Sequence, residues 1–289
     1  ATALNLDKDL YSAVAAISES DASIDDDDRY FLKDVISDFK RNGVDKDEAV
    51  RNEIKKLSAE MTQLEQAFYG NISGDRKVIK IKDVNRLKGL PEDFIKGKQP
   101  DKDGFITLTT DWPDYFPVME SADDESLRKE MYMNMMNVGY PANTEVFSKF
   151  LKARKRFANL LGYDNWAAYS QAKLMIENPE NAQKFIERVV EISMPYAKKD
   201  LEVLLEKKKE LAGENAEVEP WDRFYYPKII KKEKYNYDPE EARKYFEISK
   251  ALNGVFLVYG KLFNVSLYIN CKGKTKEELD YLTKKVESE

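Results

Sequence analysis

The chain has 289 residues, with 47 Lys and Arg against 53 Asp and Glu, one cysteine and no histidine. Without histidine it can form neither a Ser-His-Asp triad, nor an imidazole general base, nor a histidine-containing zinc site. The net charge of −6 argues against a nucleic-acid partner, which would require a basic surface. No apolar stretch reaches the roughly 18 residues of a membrane span, and the segment Ala1–Asn5 has no leader pattern, so we expect a cytoplasmic protein without membrane contact.

Apolar spacing predicts a mainly α-helical protein, beginning with a helical hairpin region at residues 1–75. A four-residue repeat predicts a first helix that follows the acidic run Asp25–Asp28 and ends at Asn42-Gly43. The next helix carries an apolar seam with steps of 4, 3, 4, 3 and 4 residues and is expected to end at Gly70-Asn71. This narrow seam predicts an antiparallel pair with the preceding helix. Its members are Val50, Ile54, Leu57, Met61, Leu64 and Phe68.

Residues 76–120 differ in character and predict a small β and loop insert. Lys77–Lys82 and Phe105–Thr110 are rich in β-branched residues and predict two short strands. Between them, Gly89–Phe94 predicts a single helical turn with Pro near its start. The aromatic segment Asp111–Pro117 contains two prolines and is expected to be a loop.

Residues 121–289 return to helical spacing and are predicted to form one helical region. A long helix is expected after Pro179, with Phe185, Val189, Ile192 and Tyr196 facing inward. Its heavily charged far end, Leu201–Leu211, is expected to face solvent. A last helix is predicted to start at Asp238–Glu241, because Asp, Pro and Glu occupy favourable positions of a first turn.

Few residues indicate chemistry on their own. The pattern Ser-x-x-Lys, which could mark a serine nucleophile with a lysine base, occurs three times without a companion motif and is interpreted as background. No glycine-rich phosphate loop is present. The lone Cys271 is best interpreted as an idle thiol, since it has no histidine partner. The aromatic segment Pro220–Pro227 either anchors helices together or lines a ligand cleft, and spacing alone favours anchoring.

The order of several motifs resembles a known family. They are Gly89-Leu90-Pro91-Glu92-Asp93-Phe94, Asp114-Tyr115-Phe116-Pro117, Leu151-Lys152-Ala153-Arg154-Lys155, Leu160-Leu161-Gly162-Tyr163, the aromatic-Ala-x-Tyr that ends at Tyr169, and Trp221-Asp222 with Tyr225-Tyr226. In this colinear series, from about Tyr11 to Val265, the chain is similar to the thimet oligopeptidase and oligopeptidase A family of zinc metallopeptidases.

The resemblance implies a nearly all-helical protein with a deep peptide channel. In this family a His-Glu-x-x-His motif and a downstream Glu hold zinc, in the half that follows the segment seen here, and this sequence has none of that motif. The resemblance therefore implies no catalytic residue, no metal ligand and no cofactor in this chain. It places the best-matched polar aromatic block, Arg223, Tyr225 and Tyr226, as candidate contacts for a peptide ligand.

Two functions remain open on the sequence. In the first, the chain supplies the channel wall of a peptidase that hydrolyses short peptides, is inactive alone, and works with a missing or separate catalytic half. In the second, it is a non-catalytic helical scaffold that binds a peptide or a protein partner. The first hypothesis predicts a large exposed apolar face where the catalytic half would dock.

Overall fold

Helices dominate the computed structural model of the chain, which describes residues 2–20, 25–238, 241–242 and 244–267. The prediction of a mainly α-helical protein with a small two-stranded β element near residues 76–110 is confirmed. The chain divides into two compact units, Ala1–Tyr226 and Pro227–Glu289. The finer division at residues 75 and 120 stays a prediction. No helix within the described ranges is long and apolar enough to cross a membrane.

Most elements belong to the first unit. Its helices are α1 (Thr2–Asn5), α2 (Lys8–Ser20), α3 (Asp26–Arg41), α4 (Glu48–Gly74), α5 (Glu92–Lys96), α6 (Trp112–Ser121), α7 (Glu125–Met136), α8 (Ala142–Leu160), α9 (Trp166–Gln171) and α10 (Pro179–Ala212). Its strands are β1 (Val78–Ile81) and β2 (Ile106–Thr109), and short 3₁₀ turns lie at Val84–Leu87 and Pro220–Asp222. Helix α11 (Tyr225–Tyr235) contains the boundary between the units, and α12 (Ile248–Phe263) belongs to the second unit.

The apolar seam of α4 is confirmed, but its partner is not the preceding helix. Ile54 and Leu57 are buried against Ala153 and Phe157 of α8, whereas α3 packs mainly on α2. The reason is that a seam specifies only that some helix must cover it, not which one. Helix α4 also continues past Gly70 to Gly74, so the predicted end was four residues too early.

The two strands form an antiparallel pair that supplies one wall of a second core. Val78 lies opposite Thr109 and Ile81 lies opposite Ile106. Side chains alternate along each strand, so that Ile79, Ile81, Ile106 and Leu108 face inward. They pack with residues of α6 and α7, among them Tyr115, Val118, Met119, Leu127 and Met131. This core holds α7 in place, and α7 carries part of the candidate site.

The expected loop at Asp111–Pro117 is instead the first part of helix α6. Pro113 lies in the first turn, where its missing N–H needs no partner. Pro117 lies inside the helix, where it removes one hydrogen bond. Burial of Tyr115 and Met119 offsets that loss, since each is at most 5% exposed. Tertiary packing here outweighs the local preference of proline.

Helix α10 reverses the predicted burial along its length. Phe185 and Tyr196, expected to face inward, are 62% and 67% exposed, while Lys208 in the charged far end is only 4% exposed. A charged side chain can be buried when opposite charges surround it, and Lys208 contacts Asp222 and Glu125. The sequence pattern could not reveal those partners.

In the second unit the predicted start of the last helix is ten residues early. Helix α12 begins at Ile248, and Glu247 caps it by accepting hydrogen bonds from the backbone of Ser249 and Lys250. Pro239 and Glu240 of the predicted start lie outside the described residues. Tyr245 precedes α12 and is 84% exposed, so it does not share the predicted apolar face of that helix.

Two glycines with similar backbone angles provide a matched test of the fold. Gly89 has φ +85°, and a Cβ there would meet the carbonyl oxygen of Ser121 and, at 2.5 Å, Oδ1 of Asp123. Gly104 has φ +79° with open space around it. We expect Gly104→Ala to lower the free energy of unfolding by about 1 kcal/mol, from backbone conformation alone. Gly89→Ala should lower it by at least about 3 kcal/mol in urea titrations. Equal losses would contradict this packing.

Candidate functional site

The candidate site is built around the buried carboxylate of Asp222, which lies on the 3₁₀ turn before α11 and is 0% exposed. Its Oδ1 accepts a hydrogen bond from Nη2 of Arg128 at 3.2 Å. Its Oδ2 accepts from Nζ of Lys208 at 2.7 Å and from the backbone N–H of Glu219 at 2.8 Å. Asp222 therefore joins α7, α10 and the turn 220–222 through one carboxyl group.

Arg128 of α7 is buried at the same point, with 1% of its surface exposed. Its Nη1 donates to the carbonyl oxygens of Ala122 and Asp123 at 2.7 and 3.3 Å. The guanidinium lies 4.0 Å from the ring centroid of Tyr225, a distance that allows cation–π attraction. Its Nε is buried and has no hydrogen-bond partner among the described residues. Arg128 thus fixes both the end of α6 and the ring of Tyr225.

Glu125 and Trp221 complete the ionic cluster beside Lys208. Oε1 of Glu125 accepts hydrogen bonds from Nζ of Lys208 at 2.8 Å and from Nε1 of Trp221 at 2.9 Å. Burial opposes ionisation of Glu125, but these hydrogen bonds hold its pKa below the ordinary range. Burial likewise tends to lower the pKa of Lys208, but hydrogen bonds with Asp222 and Glu125 raise it overall. The cluster is therefore a balanced set of two cations and two anions at neutral pH.

Both predicted tyrosines lie in this cluster. Burial, reinforced by a 3.0 Å hydrogen bond to Oδ1 of Asp123, raises the pKa of Tyr225 to about 12. Tyr226 is 3% exposed, and burial raises its pKa as well. Neither hydroxyl can exchange its proton near neutral pH as a general acid or base would. The two side chains can pack, and the Tyr225 hydroxyl donates a hydrogen bond.

Arg223, the third predicted residue, lies at the surface rather than in the cluster. Its guanidinium is 5.4 Å from the ring centroid of Phe224. Phe224 meets Phe116 edge to face at 5.8 Å, and Phe116 stacks on Trp112 at 5.1 Å. Trp112 is 59% exposed and Phe116 is 39% exposed. We call Trp112, Phe116 and Phe224 the aromatic ladder; Arg223 adds a positive charge at its end.

An open cavity of about 730 Å³ borders the cluster on another side. Glu125, Lys129, Lys208 and Trp221 line it, together with residues 212–217 of the loop after α10. Nζ of Lys129 lies 4.8 Å from the ring of Trp221. Sequence reasoning missed Arg128, Glu125 and Lys208 as partners of the Trp-Asp pair. A buried Asp requires a cation, but nothing in the spacing selects these two from 47 Lys and Arg.

The residues of the site do not fit a zinc ion. Among the described residues no group of three His, Cys, Asp or Glu side chains could hold a metal. A catalytic zinc needs three protein ligands with free lone pairs. The carboxylates of Asp222 and Glu125 are instead engaged by Lys208, Arg128 and the indole of Trp221.

Comparison with known proteins identifies the class, which is a helical peptidase scaffold. The sequence profile of Peptidase family M3 matches residues 118–283, more than half of the chain, and the chain belongs to this family. It is 28% identical over 276 residues to Oligopeptidase A of Salmonella typhimurium, covering 89% of this chain and 40% of that protein. It is 29% identical over 283 residues to organellar oligopeptidase A of Arabidopsis thaliana, covering 91% and 36%.

Similarity extends to fungi, and it confirms the family resemblance predicted from the motifs. Saccharolysin of Saccharomyces cerevisiae is 28% identical over 246 residues, which covers 81% of this chain and 34% of saccharolysin. The chain thus spans about 40% or less of the length of these relatives. What the whole proteins do does not transfer automatically to this part of their length.

The cluster makes a specific stability prediction at Asp222. Asp222→Asn removes the negative charge that holds two buried cations, and Lys208 then keeps only Glu125. We expect the free energy of unfolding to fall by about 3–5 kcal/mol, the usual cost of breaking a buried ion pair by removing one partner. Urea titrations with tryptophan fluorescence measure it.

A surface pair is the control for this prediction. Glu92 and Lys96 form an ion pair on α5 with both side chains largely exposed. Glu92→Gln should leave the unfolding midpoint unchanged, because exposed pairs contribute little. A loss at Asp222→Asn no larger than that at Glu92→Gln would show that the cluster does not stabilise the fold.

Proposed function

We propose that the chain forms the helical, histidine-free part of an M3 oligopeptidase that hydrolyses short peptides. The zinc ligands then come from residues outside these 289. The observation that carries this proposal is the match to peptidase family M3 by a chain that contains no histidine. The partial coverage of the relatives supports it, since about 60% of Oligopeptidase A lies outside the matched stretch.

The chemistry of the described residues supports a role in binding rather than in bond cleavage. A zinc peptidase needs a metal-activated water and a general base near it. Here the buried carboxylates are neutralised by cations, and the tyrosine hydroxyls keep their protons at neutral pH. The zinc, bound elsewhere, would supply the activated water. This chain would bind and orient the peptide, and alone it would be inactive.

The surface beside the cluster offers suitable groups for holding a peptide. Arg223 can pair with a peptide carboxylate or carbonyl. The aromatic ladder offers exposed ring faces for apolar side chains. Tyr225 and Tyr226 then act by packing Arg128 and the turn that carries Arg223, rather than by touching the peptide. This assigns direct contact to Arg223 and support to the two tyrosines.

A non-catalytic scaffold that binds a peptide or protein partner is the second candidate. The observation that favours it is the same lack of histidine together with large exposed apolar side chains on α10. We propose a cytoplasmic location for either function, in view of the single cysteine. Recovery of the protein from an organelle fraction would contradict that location.

A chimera tests the peptidase proposal. The chain replaces the matching stretch of Salmonella typhimurium Oligopeptidase A, so that the rest of that protein accompanies it. We expect the chimera to bind zinc and to cleave a short fluorogenic peptide in a chelator-sensitive way, while the 289-residue chain alone does neither. A folded, zinc-loaded chimera without cleavage would favour the scaffold. Chelator-sensitive cleavage by the chain alone would contradict the proposed division of roles.

The same chimera tests the role of Arg223. Arg223→Ala should raise KM roughly tenfold and leave kcat nearly unchanged, because a contact made equally in ground and transition states affects binding only. Lys96→Ala is the matched control, since Lys96 is an exposed cation on α5 away from the ladder. Steady-state kinetics on a peptide with a free carboxyl terminus measure both variants. Equal KM values for the two variants would exclude Arg223 from the peptide site.

A further inference from the structure

Helix α10 contains a long segment that nothing in the described structure covers. Every residue from 183 to 202 is exposed. At 1.5 Å per residue this segment is about 30 Å long. It follows the part of α10 that contacts α9 and precedes the part that carries the buried Lys208. The helix is therefore fixed at both ends and free in the middle.

The free segment has a strongly apolar side. Eight large apolar side chains there are between 46% and 67% exposed: Phe185, Ile186, Val189, Val190, Ile192, Met194, Tyr196 and Leu201. At 100° per residue they span an arc of about 200° around the helix. The remaining arc of about 120° carries the charged residues Lys184, Glu187, Arg188, Glu191, Lys198, Lys199 and Glu202. The segment thus has one face suited to water and one suited to burial.

Such a face is unfavourable in water. Valine and isoleucine are weaker helix formers than alanine, and packing supplies most of the stability of helices in proteins. An exposed apolar band of this length and width marks an interaction surface. We define this band, from Phe185 to Leu201 on the apolar arc, as the α10 surface.

The shape of the α10 surface selects the kind of partner. A two-helix coiled coil uses a narrow seam, and the 4-3-4 spacing of Phe185, Val189, Ile192 and Tyr196 lasts less than two heptads. Three to four heptads are needed before such spacing indicates a coiled coil. A second copy of this helix is therefore a poor match. An arc of about 200° instead fits the groove of a folded, multi-helix domain.

We propose that the α10 surface is where the part of the M3 peptidase outside these 289 residues docks. The partial coverage of the relatives means that polypeptide of sufficient size accompanies this stretch in them. This inference rests on the proposed function. It also explains the linkage to the candidate site, because Leu201 and Lys208 lie on one continuous helix about 10 Å apart. Docking at the α10 surface would thereby fix Lys208, Asp222 and the turn that carries Arg223 relative to the catalytic part.

Two triple variants with matched numbers of substitutions test the proposal. The first replaces Phe185, Val189 and Ile192 by serine on the apolar arc. The second replaces Glu187, Glu191 and Lys198 by serine on the charged arc. In the 289-residue chain alone, we expect the first variant to lose most of the fluorescence of the apolar dye anilinonaphthalene sulfonate and the second to keep it. Neither should lower the unfolding midpoint, since no described contact is lost.

In the Oligopeptidase A chimera the two variants should separate. The apolar-arc variant should lower the melting temperature by roughly 5–10 °C, because its side chains are now buried, and the charged-arc variant should leave it unchanged. Equal melting temperatures would overturn the docking surface even if the chimera cleaves peptides. A lowered melting temperature in a chimera that does not cleave would support docking and reject the proposed function.

Measurements on the chain alone distinguish other occupants. Sedimentation should find a monomer, and hydrogen exchange should find residues 183–202 weakly protected. A dimer that the apolar-arc variant dissociates would assign the surface to a second copy. Strong protection in a monomer would assign it to another part of this chain. Either result would overturn the proposal, as would a chimera that never folds beside a monomeric, dye-binding chain.

Discussion

The buried carboxylate of Asp222 is the constraint on which the arrangement of the first unit depends. A buried charge is tolerated only when it is paired and hydrogen-bonded, and Asp222 meets this condition with Arg128, Lys208 and a backbone N–H. These partners come from helices far apart in sequence, so the pairing ties α7, α10 and the Trp-Asp turn together. An ionic cluster of this kind adds more to the uniqueness of the arrangement than to stability, because its desolvation offsets much of its attraction.

This constraint also determines what the aromatic block can do. Because Arg128 is held by Asp222 and the carbonyl of Ala122, its guanidinium presents a fixed face to Tyr225. The tyrosine packs and donates a hydrogen bond but keeps its proton. Arg223, outside this arrangement, retains an exposed charge. A family motif that looks uniform in sequence thus divides into residues that build the turn and one residue that is available to a ligand.

Local patterns predicted the elements whose causes are local. The α4 seam, the alternating strands and the acidic start of α3 follow from spacing and capping, and the structure confirms each of them. The errors share one cause, which is that a neighbour decides the outcome. Packing of Tyr115 makes a helix around Pro117, α8 rather than α3 covers α4, and Asp222 allows Lys208 to be buried. The candidate turn was recognisable from its motif, but its ionic partners were not, because 47 cations offered no preference.

The reversed burial of α10 is the error with the most meaning. The sequence correctly marked Phe185, Val189, Ile192 and Tyr196 as one apolar face, yet in the described structure that face is in water. A face that the sequence designs for burial and the fold leaves open points to something that covers it. The absence of histidine leads in the same direction, because a member of a family of peptidases without a zinc ligand of the usual kind depends on residues elsewhere. Chemistry and packing therefore require the same addition: a second folded part that brings the metal and covers α10.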